Sequence, residues 1–152
     1  MQLPAGVSGF YSSDEQKPPE IDVAKYKELC HRLARDKGAK LQEFSDSLYP
    51  ANFYKALFHF GDEDICLVMN KHYPLLAFAK TADAVKVEFI DYPDGTEAIS
   101  GEFTVLSKDE LETPVPKNPE ELKSSGLNKG EIKQIKYWKP DRLGEIVFNF
   151  WD

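Results

Sequence analysis

The chain has 152 residues, 41% of them hydrophobic and 30% charged, with ten Phe, seven Tyr and two Trp; that much buriable surface excludes a wholly disordered polypeptide and fits one ordinary core. No apolar run approaches the roughly 18 residues that span a bilayer, and the start Met1-Gln2-Leu3-Pro4 has neither a basic region nor a long apolar one, so no membrane association and a cytoplasmic location are expected. The formal charge of −7 disfavours nucleic acid as a partner, because an acidic protein repels the phosphate backbone.

Met1 to Lys17 mixes Gly, Ser and Pro with polar residues and shows no periodicity. The expected domain plan is a flexible N-terminal arm over residues 1–17 and a single α+β domain over 18–152. Pro18-Pro19-Glu20 then opens a helix over about Glu20 to Lys37: Val23, Tyr26, Leu29, Cys30, Leu33 and Ala34 recur at three- and four-residue spacing, and Gly38 stops it. An irregular link runs through Ser45 and Pro50, after which the period changes to two.

Tyr54, Ala56, Phe58 and Phe60 alternate with Lys55, Leu57 and His59, which reads as a strand ending at Gly61-Asp62-Glu63-Asp64. Ile65 to Met69 is apolar on both faces and reads as a central strand; Leu75 to Ala79 gives a third, and Val85, Val87 and Phe89 a fourth. Asp91 to Gly95 has turn chemistry, and Ile99, Phe103 and Val105 form the inward set of a fifth strand. Short connections imply an antiparallel meander, since parallel neighbours need long crossovers. Ser107 and Glu110 have capping-box spacing, and Asn118-Pro119 starts another short helix with Gly126 as its stop. Ile132 to Trp138 and Glu145 to Trp151 flank the turn-rich 139–144 and read as a terminal hairpin; a helix from Pro140 onward is the competing reading, but the β-branched and aromatic last segment favours strand. The expected fold is therefore α+β: an amphipathic N-terminal helix packed on a mainly antiparallel sheet made of the central meander and the C-terminal hairpin, with one or two short extra helices.

Few chemistry-bearing motifs occur. His31, His59 and His72 have no evident companions, and no nucleophile elbow or phosphate loop is present. Cys30 and Cys66 read as buried apolar residues, and Asp62-Glu63-Asp64 does not follow the calcium-loop spacing. No catalytic residue, metal ligand or cofactor is therefore assigned.

The charge layout is more informative. Nine acids and two bases lie between Asp83 and Glu112, a local −7, whereas Lys117 to Arg142 carries a net +3. A localised field of this kind steers a partner of opposite sign. The expected function is a small protein-binding module, a regulator or toxin-neutralising inhibitor, docking a basic protein through Glu97, Glu102, Asp109, Glu110 and Glu112. Trp138 and Trp151, near Lys136, Lys139 and Arg142, are the candidate aromatic anchors. The alternative is a small-molecule-binding domain or enzyme with a pocket between helix and sheet, its polar groups drawn from His59, His72, Asp62 and Asp64.

Overall fold

A computed structural model of the protein describes residues 2–45, 50–83, 86–99 and 101–152. Helix α1 (Val23–Lys37) is capped by the Asp22 carboxylate, which accepts from Ala24 N, and ends at Gly38 in the left-handed conformation. It thus begins three residues after the proline signal. Strands β1 (Lys40–Ser45), β2 (Phe53–Phe60), β3 (Glu63–Asn70), β4 (Leu75–Ala82) and β5 (Val87–Ile90) follow as an antiparallel meander in the order 1-2-3-4-5. Val85, expected in the fourth strand, lies outside the described residues.

Strand β1 occupies the first part of the expected irregular link, of which residues 46–49 lie outside the described residues. A register shift between Leu41 and Glu43 breaks its alternation, which hides a period-two signal in so short a segment. The expected fifth strand is also different. Pro93 opens a helix, α2 (Pro93–Ala98), and only β6 (Thr104–Val105) remains of the strand, paired in parallel with Leu75 and Leu76 of β4. Gly95 owes its place to packing rather than to a turn, since a Cβ there would lie 2.6 Å from the Phe78 ring.

Short helices α3 (Lys108–Leu111) and α4 (Pro119–Lys123) form with the caps expected at Ser107 and Asn118. The C-terminal hairpin does not form, and the sheet contains no strand from that region. Residues Lys129–Trp138 are helix α5 and Gly144–Val147 are helix α6, so the short helices exceed the one or two expected. The cause is local: Asn128 and Glu131 make a reciprocal capping box at the start of α5, and the Glu145 carboxylate accepts from the N–H groups of Asp141 and Arg142 ahead of α6. The α5 box satisfies N-terminal donors that a strand would have had to pair elsewhere, and Glu145 holds the turn that leads into α6.

The sheet is covered on both faces, which explains the two-sided apolar sequence of β3. On one side α1 buries Tyr26, Leu29, Cys30 and Leu33 against Phe58, Leu67, Met69 and Phe78, and the Tyr26 hydroxyl donates to Leu67 O. On the other side Phe53, Val68, Ala77 and Phe89 meet Leu143, Ile146, Val147 and Phe148.

The first residues, expected to stay outside the core, belong to this second layer, with Leu3, Val7 and Ser8 buried. Two carboxylates hold them to the start of α5. Glu131, fully buried, accepts from Gly6 N at 2.6 Å, Ser8 N at 2.8 Å and the Ser8 hydroxyl at 2.6 Å. Glu15 accepts from Ser12 N, Lys129 N and Gly130 N at 2.8–3.0 Å. An irregular sequence is ordered here because its backbone donors find buried or pre-positioned acceptors.

Two expected outcomes follow from this clamp. Ala is a better helix former than Gly by roughly 1 kcal/mol, yet Gly130→Ala should lower the melting temperature, because a Cβ there would stand 2.6 Å from the Tyr11 backbone. An unchanged or raised midpoint would show that the N-terminal segment yields at no cost. The pH response should isolate Glu15, whose pKa is lowered to about 2, first by the Ser12 N–H and then by those of Lys129 and Gly130. A depressed carboxylate stabilises the fold above its unfolded pKa of about 4.5 and loses that contribution as pH falls toward 2. The melting-temperature gap between the native protein and Glu15→Gln should therefore be constant above about pH 5 and shrink below it. A gap that does not change with pH would refute the assignment.

Candidate functional site

Three of the five predicted acids are engaged within the fold. Glu102 lies 3.4 Å from the Lys25 ammonium, Glu112 lies 3.2 Å from the Arg142 guanidinium, and Glu110 is engaged in the α3 capping box. Asp109 is exposed in the first turn of α3. Glu97, on α2, instead lines a cleft of about 460 Å³ with Phe78, Ile90, Asp91, Tyr92 and Val105.

That cleft adjoins a larger one, of about 850 Å³, through the shared residues Ile90, Asp91 and Tyr92. The larger cleft gathers Asp62, Glu63, Asp64 and Asp83 with Lys55 and Lys80, above Leu57, Ile65 and Cys66. Acids distant in sequence thus meet where the β2–β3 turn, the end of β4 and the start of α2 converge. The Tyr92 hydroxyl registers this field: burial raises its pKa, and the carboxylates of Asp94 and Glu63 raise it further. The grouping of the β2–β3 turn acids with Asp91 and Glu97 has no signal in the sequence, where the turn acids read as weak metal ligands or as polar groups of a pocket between helix and sheet. Among the described residues no three His, Cys, Asp or Glu side chains are gathered to hold a metal.

Trp138 and Trp151 do come together. Their rings are nearly parallel, 3° between planes with centroids 6.3 Å apart, and Phe10 and Tyr137 extend the series at 6.1 and 5.2 Å. Trp138 is 39% exposed and Tyr137 76%. The two tryptophans line an open cleft of about 300 Å³ with Phe89, Phe150, Lys86 and Lys139. Arg142 also lines it, but its guanidinium is held by Glu112 and Glu145 and lies over the Phe89 ring. Lys139 caps α5 at φ +51°, the one positive value among the described non-glycine residues; an L side chain in that conformation stores backbone strain at the rim of the cleft.

The histidines are scattered. His59 Nδ1 lies 2.7 Å from the Asp64 carboxylate on the exposed β2–β3 ladder, and His72 Nδ1 lies 2.8 Å from Pro19 O, while His31 is exposed on α1. Of the groups named for a pocket between helix and sheet, His59, Asp62 and Asp64 lie together at the β2–β3 turn and His72 lies against Pro19, while the layer beneath α1 is filled by side chains. Burial pushes the Cys30 thiol up to about 12 and raises that of Cys66, which keeps both protonated and poor nucleophiles. No described helix is long and apolar enough to cross a membrane. No family model matches the chain, and neither the curated proteins nor the solved structures contain a significant match.

Proposed function

We propose that the protein is a binding module for a basic protein partner, a regulator or inhibitor in kind, and that the paired clefts around Tyr92 form its docking surface. The observation that carries this is the convergence of Asp62, Glu63, Asp64, Asp83, Asp91 and Glu97 against two lysines, over an apolar floor that includes Leu57, Ile65 and Tyr92. Carboxylates at the rim of an apolar recess steer a cationic surface and exclude acidic competitors, while the floor supplies contact area.

Glu102, Glu110 and Glu112 line neither of these two clefts. Reversing Asp62 and Glu97 to Lys should reduce low-salt capture of the partner from native extract and slow its association at least about tenfold, with little change in melting temperature. Reversing Asp109 should have less effect than reversing the cleft acids. Capture that is independent of salt and indifferent to the Asp62 and Glu97 reversal would refute the acidic-docking assignment.

A further inference from the structure

We propose that the outer edge of β5 accepts an extended segment of the basic partner as an added strand, whose alternate side chains enter the clefts on either side; this rests on the basic-partner reading. Strand β5 stands at the end of the strand order and pairs with β4. Beyond that ladder, none of Val87–Ile90 makes a backbone hydrogen bond to another described segment. An edge in this state offers N–H and C=O groups to an incoming chain.

The neighbouring recesses match the period of such a chain. Val87 and Phe89 line the Trp138–Trp151 cleft on one face of the sheet, and Ile90 lines the acidic cleft of Asp91 and Glu97 on the other. Asp83, at the turn into β5, lines both the tryptophan cleft and the larger acidic cleft, so the recesses continue around the strand end. In strand addition the main chain supplies affinity and alternate pockets supply specificity. Successive side chains of an added strand point to opposite faces, one set toward carboxylates and the other toward exposed aromatic rings. The opposite edge, β1, contributes to none of these clefts. The chemistry of the occupant follows: an extended segment in which Lys or Arg alternates with bulky apolar residues.

The test is titration of the ¹⁵N-labelled full chain with the synthetic peptide Thr-Lys-Val-Arg-Trp-Lys-Val-Thr. Saturable shifts are expected across Val87 to Ile90, with slowed exchange at the alternate amides that do not face β4. Only every second N–H of an added strand faces its neighbour. Methylating one alternate set of peptide nitrogens should therefore weaken binding about tenfold or more, the equivalent of one or two hydrogen bonds, while methylating the other set is tolerated. A peptide with Gln in place of Lys and Arg tests the charge separately. If it binds as well and still shifts β5, strand addition is supported and the basic-partner reading fails. No saturable binding of the parent peptide at millimolar concentration, equal response to both methylated sets, or shifts confined to residues away from β5 would each overturn the proposal.

Discussion

Deleting residues 145–152 should abolish cooperative folding. Ile146, Val147 and Phe148 are buried against the sheet, and Phe150 and Trp151 pack on the same layer. Full burial of such a side chain contributes about 1.5–3 kcal/mol, so three of them approach the roughly 5–15 kcal/mol that holds a domain together. Phe53 would also lose the edge-on contacts it makes with Phe148 and Phe150, at 5.8 and 5.1 Å. Heat or urea denaturation followed by far-ultraviolet circular dichroism decides the matter. A truncated chain that melts cooperatively near the intact midpoint would make this segment an appendage.

The second large effect concerns a buried polar joint. Asn52, Asn70 and Asn149 are all buried, and their amides connect three parts of the chain. Asn52 donates to Val7 O and Val147 O, each at 3.0 Å, and accepts from Asn149 N at 2.7 Å. Asn70 donates to the same two carbonyls at 2.8 and 2.7 Å. The Asn149 amide donates to Ser8 O and Ile146 O. Asn52→Ala leaves the Asn149 N–H without its acceptor and opens a space, at a cost of at least about 2 kcal/mol. Asn52→Asp should cost more although its shape is closer, because an acceptor would then face the Val7 and Val147 carbonyls. Urea unfolding of both variants gives the order, and an Asp variant more stable than the Ala one would show that the donor role is dispensable.

What was legible in the sequence depended on whether the signal was local. The α1 stripe from Tyr26 to Leu33 and the alternation from Tyr54 to Phe60 each bury one face against a layer, and burial of a face imposes its period on the sequence. Caps at Ser107 and Asn118 were legible because both partners lie within one turn. The C-terminal segment misled for the opposite reason: its β-branched and aromatic composition serves burial equally well in a short helix followed by extended chain, and composition does not determine which neighbour is available to pair. The capping box of Asn128 and Glu131 was the overlooked sign of α5.

The candidate site divides the same way. The acidic excess and the aromatic concentration near the C-terminus are properties of the sequence, and it determined them alone, together with the α+β class and the order of the four central strands. Only the tertiary structure decided that Glu102 meets Lys25 and Glu112 meets Arg142, whereas Asp62, Asp91 and Glu97 line clefts that meet at Tyr92. It alone decided that the first residues are core, since Val7 is buried beside Asn52, Asn70 and the Val147 carbonyl. The physical reason is common to both cases: hydrogen bonds and charge pairs between residues far apart in the chain leave no periodic trace in it, because the closing distance is set by how layers stack and not by spacing along the backbone.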